Sequence, residues 1–353
     1  MHIIQSRFMT TFKKYLKFYW NGLYYQFTCY PNGSASCPRK FTKLMKVPLS
    51  HLRENGHSVV GYLDDFFFQN GSREECERSL YSGAVLLQKL GFTVHPDKSQ
   101  LEHSWSIVFL GFVIDSITMR VTLTEEKKKK ILKLIEEVLA KNYVKIRLVA
   151  SLVGKMVSSF PATIYGPLYY RRIEYDKSNA LKRNAGNFDK FMYLSDKSKQ
   201  EIIWWKVNMD TMYAPIQWPP ITVEIATDAS GKNGWGATMS GSSPIGGTWA
   251  ADQLDIHINV KEMIAISYAL RSYIDLLRGK HVRLLCDNTT AVFVLNKMGT
   301  TKSMECNDVA KEIWQFCKEN DMFITCAHIP GKENVVADFE SRREYKQAEW
   351  MLK

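Results

Sequence analysis

Thr222-Val-Glu-Ile-Ala-Thr-Asp228 and Val282-Arg-Leu-Leu-Cys-Asp287 are the two stretches that decide the fold of this chain. Each is a short run rich in apolar and β-branched residues that ends at an aspartate, a pattern typical of a buried strand. Working outward from them, the sequence predicts strands over 222–227, 234–240, 246–250, 282–286 and 323–329 and helices over 259–277, 290–297, 302–319 and 335–342. Three strands followed by alternating helices and strands predict a mixed-sheet α/β domain, in the broad α+β sense.

The chain before Trp218-Pro-Pro220 carries short aromatic runs and amphipathic helices. The predicted elements are a strand over 22–28, a helix over 41–54 that Pro48 should kink or split, a hairpin over 58–68, a helix over 72–90, a strand over 109–115, and helices from 124 and over 146–159. The proline pair predicts a boundary, so the sequence predicts two units, 1–220 and 221–353.

Composition restricts the class of protein. The 353 residues carry a net charge of +11 with a pI near 9.1, which permits a polyanionic partner without requiring one. No stretch approaches the roughly 18 consecutive apolar residues that a membrane span needs. Met1–Gly22 lacks the apolar segment of a signal peptide. We therefore expect an intracellular protein of the cytoplasm or nucleus, neither secreted nor bound to a membrane.

The cysteines point the same way. There are 7, an odd number, and they show no CxxC spacing, so neither a disulfide scaffold nor a zinc site is predicted. We interpret them as reduced, mostly buried thiols.

Four carboxylates of the C-terminal unit fall where one sheet edge could gather them. Asp228 and Asp287 each end a predicted strand, whereas Glu262 and Asp338 lie on predicted helices. Any one alone could cap a turn or face the solvent, but four in this order favour a site. Carboxylates this close would repel one another unless divalent cations bind. Two Mg²⁺ ions held about 3.5–4 Å apart can activate water and stabilise the leaving oxygen in phosphodiester cleavage.

Residues 222–343 resemble a ribonuclease H domain of the retroelement type. The matching motifs are Thr227-Asp-Ala-Ser230, the helical Glu262, Cys286-Asp-Asn288 and Ile329-Pro-Gly-Lys-Glu-Asn-Val-Val-Ala-Asp338. The resemblance implies hydrolysis of the RNA strand of an RNA–DNA hybrid, leaving a 3′-OH and a 5′-phosphate, with two Mg²⁺ ions or Mn²⁺ in their place. It also implies that Asp228 and Asp287 bridge both metals, that Glu262 holds one and orients the scissile phosphate, and that Asp338 completes the other.

The chain departs from this family in the loop before the last aspartate, where many relatives carry a histidine that helps the product leave. Lys332 occupies that stretch, and His328 is interpreted as a strand-end residue, so we expect slow turnover. Ser230, Asn288 and Lys332 are predicted to contact nucleic acid, Asn288 through a ribose 2′-OH.

Tyr62-Leu-Asp-Asp65 between apolar strands predicts a hairpin whose turn carries two adjacent carboxylates. Alone, an Asp-rich turn is an ordinary feature. Together with Tyr30–Lys43 upstream and with Leu90–Lys98 and Phe109–Phe112 downstream, however, it resembles the successive palm motifs of a reverse transcriptase. That resemblance implies an RNA template and a DNA primer as partners.

The same resemblance implies roles for individual residues. Asp64 would bind metal, with Asp65 as its companion. Gly33 and the following loop would touch the incoming nucleotide and the template. Lys98 matches the late palm lysine, and Phe109–Phe112 matches the hairpin that holds the primer.

By this alignment the first metal-binding aspartate of the family precedes the segment that matches Lys13–Phe18, and it would fall upstream of Met1. Two-metal nucleotidyl transfer needs that carboxylate as well as Asp64. The finger segments that should precede it are also missing. We therefore expect an amino-truncated piece with a defective polymerase and a complete nuclease site.

Further segments most resemble DIRS-type retrotransposons, namely Ala150-Ser-Leu-Val-Gly-Lys155, Gly166-Pro-Leu-Tyr-Tyr-Arg171, Ala337-Asp-Phe-Glu-Ser-Arg342 and Glu349-Trp350. Elements of that type pair the two enzymes with a tyrosine recombinase, a candidate partner outside this chain. The implied organisation is a partial palm over 1–120, a helical thumb and connection over 121–220, a ribonuclease H-like domain over 221–345 and a tail over 346–353.

Several basic and aromatic positions have two interpretations. Arg39 and Lys43, four residues apart on a predicted helix, could contact template phosphate or face the solvent. Lys127–Lys130 is interpreted as a solvated helix face, with nucleic-acid contact as the alternative. Trp204 and Trp205 are interpreted as packing residues rather than as base-stacking platforms.

Three alternative functions stay open at this point. The first is a non-catalytic nucleic-acid-binding relic of a retrotransposon. The second is a transposase or integrase of the same fold class, against which the early helical Glu262 and the Val-Ala-Asp338 ending argue. The third is an active polymerase in which another residue supplies the missing aspartate.

Overall fold

The computed structural model describes residues 15–27, 31 and 33–343. The chain divides into two compact units, Met1–Trp105 and Ser106–Lys353. The predicted tail over 346–353, the Glu349-Trp350 pair and the last residue of the strand predicted over 22–28 lie outside the described residues. Within the described part of the chain, no helix has both the length and the apolar composition needed to cross a bilayer.

The described residues of the first unit form two hairpins and two α-helices. Its elements are β1 (Lys17–Trp20), β2 (Leu23–Gln26), α1 (Cys37–Glu54), β3 (Val59–Tyr62), β4 (Asp65–Phe68) and α2 (Arg73–Lys89). The sequence predicted only one strand over 22–28. Instead, β1 and β2 pair through Asn21-Gly22, whose φ angles of 46° and 80° form the turn that Asn-Gly favours.

The helix α1 provides much of the core of the first unit. It continues through Pro48, so the expected split of the helix at this proline does not occur. Pro48 is buried on the same face as Met45, Leu49 and Leu52, and this burial offsets the backbone hydrogen bond that proline removes. Met45, Leu49 and Leu52 form a small core with Val59 of β3 and Leu87 of α2. The predicted hairpin over 58–68 is confirmed.

The second unit begins with an antiparallel sheet and a group of helices. Its first elements are β5 (Ser106–Phe109), β6 (Phe112–Asp115), β7 (Arg120–Leu123), α3 (Glu125–Leu139), β8 (Tyr143–Lys145), α4 (Ile146–Val157), α5 (Arg171–Arg183), β9 (Phe191–Tyr193), α6 (Asp196–Asn208) and β10 (Ala214–Pro215). The prediction of a single strand over 109–115 is wrong, because Leu110 and Gly111 adopt φ angles of 50° and 76° and turn the chain back between β5 and β6.

The remaining elements build a five-stranded mixed sheet with helices. They are β11 (Ile221–Ala229), β12 (Gly234–Met239), β13 (Ile245–Thr248), α7 (Ile258–Ser272), α8 (Ile274–Leu277), β14 (His281–Cys286), α9 (Thr289–Asn296), α10 (Met304–Glu319), β15 (Phe323–His328) and α11 (Val335–Arg342). The strand order is β13-β12-β11-β14-β15, with β11 antiparallel to β12 and parallel to β14. This topology confirms the predicted mixed-sheet α/β class; the helix predicted over 259–277 is interrupted at Tyr273.

The hydrophobic core of the second unit runs without a break across the predicted boundary at 218–220. Trp205 of α6 and Trp314 of α10 belong to the same cluster. The boundary segment itself packs against β14 and β15. The Trp218 ring stacks on Phe323 at 3.7 Å, and the Pro219 carbonyl lies 2.7 Å from His281 Nδ1. The sequence-based domain bounds therefore stay a prediction.

The structure of this unit decides between the two interpretations that the sequence left for Trp204 and Trp205 and for Lys127. The indole N–H of the buried Trp205 donates to the Tyr169 carbonyl, and Trp204 stacks on the Tyr169 ring at 3.8 Å, which confirms the packing interpretation. The solvated-face interpretation is wrong for Lys127, because its ammonium lies 3.8 Å from the Phe112 ring centroid and donates to the Ser158 carbonyl.

Candidate active site

Parallel pairing of two strands places Asp228 and Asp287 side by side. Thr227 of β11 stands opposite Cys286 of β14, so the aspartate that follows each residue lies at the same carboxyl edge of the sheet. Helix α7 packs against β11 and brings Glu262 to this edge. One carboxylate oxygen of Glu262, one of Asp287 and the Cys286 sulfur all lie within 4.8 Å of one another.

The fourth carboxylate arrives because α11 packs directly on β12. Gly236 is paired with Asp228 across the sheet, and a Cβ at this glycine would lie only 2.3 Å from the Ala337 carbonyl oxygen. This close approach carries Asp338 and Ser341 to the site. The Ser341 hydroxyl donates to Asp228 Oδ2 at 2.5 Å. Sequence reasoning missed both Gly236 and Ser341, whose roles appear only when β12 and α11 meet.

The loop before α11 is held against the same strands. The buried Asn334 side chain donates to the Thr227 carbonyl at 2.9 Å. A Cβ at Gly331 would lie 3.1 Å from Asp287 Oδ2, so this turn passes close to that carboxylate, and the exposed Lys332 follows it. His328 ends β15, as predicted.

Burial and mutual repulsion dominate the electrostatics of the four acids. Burial raises the pKa of Glu262 to about 9, and the charges of Asp228 and Asp287 add to this effect. Burial also raises the pKa of Asp228, although its hydrogen bond from Ser341 opposes the change. At neutral pH the site therefore has an excess of negative charge and holds a proton on Glu262.

Asp338 and Cys286 differ from the other site residues in their environment. Asp338 is half-buried and forms an ion pair with Arg342, whose Nη2 lies 2.7 Å from Asp338 Oδ1. The Cys286 thiol donates to Glu262 Oε2 at 3.8 Å, and burial raises the pKa of the thiol far above its usual range. The ionisable oxygens, rather than this sulfur, are therefore the ligands offered to a metal.

A cleft of about 630 Å³ opens at α9, the helix that begins two residues after Asp287. Residues of α7, α9 and α10 and the loop before α10 line it, among them His257, Asn259, Thr290, Phe293, Thr300 and Lys302. Asn288 connects the cleft to the site, because its amide nitrogen donates to Asn259 Oδ1 while its oxygen accepts from the Ala291 N–H and caps α9. The sequence analysis singled out Asn288 but not this cleft.

Ser230, another predicted contact, has a local structural role. Its hydroxyl oxygen accepts from the backbone N–H groups of Asn233 and Gly234 at 2.8 and 2.9 Å. These bonds close the turn between β11 and β12 beside Asp228. A contact of Ser230 with nucleic acid stays a prediction.

The first unit presents its two aspartates differently. Asp64 lies in the turn between β3 and β4, Asp65 begins β4, and both side chains are exposed. Among the residues that the structure describes, neither belongs to a cluster of three metal-ligating side chains. The other predicted contacts of this unit are also exposed, namely Gly33, Arg39, Lys43 and Lys98. Arg39 and Lys43 both lie on α1.

Comparison with known proteins gives a family match for one part of the chain and a similar fold for most of it. Residues 2–114, about a third of the chain, match the family described as "Reverse transcriptase (RNA-dependent DNA polymerase)". A foamy viral protease–reverse transcriptase solved with double-stranded DNA is 16% identical, with a TM-score of 0.51 over 91% of this chain and 54% of that chain. The foamy viral enzyme solved with an RNA/DNA hybrid is 15% identical, with a TM-score of 0.50 over 98% of this chain and 45% of that one.

These similarities give the chain a reverse transcriptase-like fold, and residues 2–114 are similar in sequence to the reverse transcriptase family. The chain spans about half the length of the foamy viral structures. A search of curated protein sequences gave no match.

Proposed function

We propose that the second unit hydrolyses the RNA strand of RNA–DNA hybrids. The observation that carries this proposal is the gathering of Asp228, Glu262, Asp287 and Asp338 at one sheet edge, where Asp228 and Glu262 are buried. Buried, mutually repelling carboxylates cost folding free energy, and such perturbed groups are typical of a functional site.

The donor set fits divalent cations. Four carboxylates offer the oxygen ligands that Mg²⁺ prefers, and Mn²⁺ accepts the same ligands. Asp228 and Asp287 would bridge two ions, with Glu262 completing one and Asp338 the other. When bound, such ions supply an activated water and stabilisation for the leaving oxygen.

The side chains around the acids would prepare this chemistry. Ser341 holds the Asp228 carboxylate through its hydroxyl, and Arg342 neutralises Asp338. Glu262 would release its proton when a cation replaces it, because burial and its acidic neighbours hold that proton in the free protein.

The substrate would lie in the cleft beside the site. The foamy viral structure that contains an RNA/DNA hybrid supports a hybrid as substrate, and the net charge of +11 suits a polyanion. Asn288, between the cleft and Asp287, would bond a ribose 2′-OH, and Ser230 and Lys332 would contact the backbone.

Cleavage of a labelled RNA–DNA hybrid in Mg²⁺ tests the proposal. We expect the wild-type chain to leave RNA products with 3′-OH ends and Asp287→Asn to abolish cleavage. Asp275→Asn, an exposed aspartate of α8, is the matched control and should cleave normally. Hybrid that is bound, with an affinity that falls steeply with salt, but never cut would instead support a non-catalytic relic.

We propose that residues 2–114 derive from an RNA-directed DNA polymerase, on the strength of the family match there, and that their DNA-synthesis activity is defective in this chain. Asp64 would bind metal beside Asp65, and the exposed Gly33, Arg39, Lys43 and Lys98 would meet nucleotide and template. Primer extension on an RNA template, compared with Asp64→Asn, tests this activity. Extension that survives the substitution would contradict the assignment of Asp64.

We also propose that the chain comes from a DIRS-type retrotransposon and works inside the cell, with an element-encoded tyrosine recombinase as a partner. The motifs at 150–155, 166–171 and 337–342 support the element type. Free thiols at every cysteine that the structure describes support a reducing compartment. Sequencing the DNA that flanks the gene tests the first proposal, since a neighbouring tyrosine recombinase frame is expected.

A further inference from the structure

The two-stranded antiparallel sheet formed by β8 and β9 has one buried and one exposed face. Tyr143 pairs with Tyr193, Val144 with Met192, and Lys145 with Phe191. Val144 and Met192 point into the core at 1% and 4% exposure. Tyr143, Phe191 and Tyr193 are exposed at 48%, 42% and 70%.

The three exposed rings form a continuous row. Tyr143 stacks on Phe191 at a centroid distance of 5.1 Å and lies 4.5 Å from the Tyr193 ring. Single exposed apolar side chains are ordinary, whereas a contiguous exposed aromatic cluster marks an interaction surface. The nuclease chemistry proposed above uses none of these rings.

Basic side chains adjoin the row. Lys145 places its ammonium 6.0 Å from the Phe191 ring centroid, and the exposed Lys141 and Lys190 adjoin the two strands in sequence. Asp189 is the acidic residue of segments 141–147 and 187–193, and Arg147 neutralises it through bonds of 2.9 and 3.0 Å. The surface therefore complements a polyanion and opposes a basic partner.

This two-stranded sheet is also fixed in place. Beyond the paired strands, Ile146 N–H donates to the Lys190 carbonyl and Arg147 N–H to the Phe188 carbonyl, each at 2.9 Å. The helix α4 starts at Ile146, which is fully buried. The strands that carry the rings are therefore already ordered, so a ligand would bind without first ordering this surface.

We propose that this aromatic face, Tyr143, Phe191 and Tyr193 with Lys145, binds single-stranded nucleic acid by stacking bases on its rings. Every base has a π-face, so such stacking tolerates any sequence, and nearby lysines hold the backbone. Duplexes, whose bases are already stacked on each other, would bind this face less well.

Fluorescence anisotropy with a labelled oligothymidylate of about twelve nucleotides tests the proposal. The full chain is used in EDTA, so that metal-dependent cleavage and metal binding at the acids play no part. We expect Tyr143→Leu and Tyr193→Leu each to weaken binding about tenfold, since leucine keeps apolar bulk but lacks a π-face. Tyr193→Phe should bind as the wild type does.

Two controls separate stacking from other causes. Tyr81→Leu changes a tyrosine of α2 that is 72% exposed and should leave the affinity unchanged. Lys145→Gln should reduce the salt dependence of binding by somewhat less than one unit of slope. Circular dichroism verifies that each variant is folded.

Unchanged affinity in both leucine variants would overturn the proposal. So would a change in sedimentation without a change in affinity, because the face would then join two copies of the chain. Either result leaves the nuclease proposal standing, since hybrid cleavage is measured separately and in Mg²⁺.

Discussion

The two acidic sites of this chain differ in burial. Asp228 and Glu262 of the second unit are buried among other carboxylates, whereas Asp64 and Asp65 of the first unit lie exposed on a hairpin turn. The buried group requires two strands and two helices to converge, but the exposed pair requires one turn. Folding of the buried group of the second unit therefore costs stability, whereas folding of the exposed pair of the first unit does not. Such a cost in stability is the clearest mark of a functional site.

The largest expected difference between the sites concerns hydrolysis. Asp287→Asn should lower the rate of hybrid cleavage by about a thousandfold, the scale on which loss of one essential electrostatic group lowers kcat. Asp64→Asn should leave that rate within about twofold, because Asp64 is not part of the buried cluster. Single-turnover cleavage of a labelled hybrid measures both. An equal loss of cleavage rate in both variants would contradict the proposed difference between the two sites.

Gly236→Ala tests the long-range packing that the buried site needs. The new Cβ would clash with the backbone of Ala337 and Ser341. We expect a loss of roughly 3 kcal/mol in unfolding free energy, together with reduced cleavage. Gly231→Ala in the neighbouring turn is the matched control, since a Cβ there has nothing within 4 Å. Urea denaturation of the two variants measures the difference, and similar midpoints would contradict this account of α11.

The buried charge of the second unit should also make its stability depend on pH. Burial raises the pKa of Glu201 to about 7, although Lys311 lies 3.7 Å away. Because the folded state holds this proton more tightly than the unfolded state, stability is greatest at low pH and falls as pH rises toward 7. The contribution of Glu201 should fall by about 2 kcal/mol between pH 5 and pH 7.

Glu201→Gln removes that titration. Denaturation at pH 5 and pH 7 should therefore show a smaller drop in the variant than in the wild type. The same drop in both proteins would show that other groups cause it.

The smallest expected effect is a gain in stability. Asp228→Asn keeps an oxygen that accepts from Ser341 but removes a charge whose pKa is raised by burial and by neighbouring acids. In EDTA at pH 8 we expect the variant to be about 1 kcal/mol more stable. Asp64→Asn should change stability by less than about 0.5 kcal/mol, as surface substitutions do. Thermal unfolding compares the two, and a destabilised Asp228→Asn would show that the acid cluster does not strain the fold.

The fold around the acids was readable from the sequence because its signals are local. Each of β11 and β14 is a largely apolar run with an aspartate at or just past its carboxyl end, and parallel strands bring such ends to one edge. The last helix was predicted over the range in which it forms, Val335–Arg342. These features depend on residues close together in sequence.

What sequence reasoning missed depends on contacts between distant residues. Gly236 reads as an ordinary strand glycine until α11 lies on it, and Ser341 gains its role only beside Asp228. Lys127 looked solvated within its run of lysines, but Phe112 and Ser158 approach it from other elements. Apolar patterning alone placed Leu110 in a strand, although its φ of 50° reverses the chain, a turn that the resemblance at Phe109–Phe112 had implied.

The contacts that the Trp218–Pro220 segment makes with the rest of the second unit have an evolutionary consequence. Because Trp218 stacks on Phe323 and the core is continuous from Trp205 to Trp314, we expect the parts before and after this segment to tolerate exchange between relatives poorly. A recombinant joined at residue 220 would inherit mismatched faces on both sides of the join. Such chimeras are expected to unfold at lower denaturant concentration than either parent, so selection would keep the two parts together as a single block.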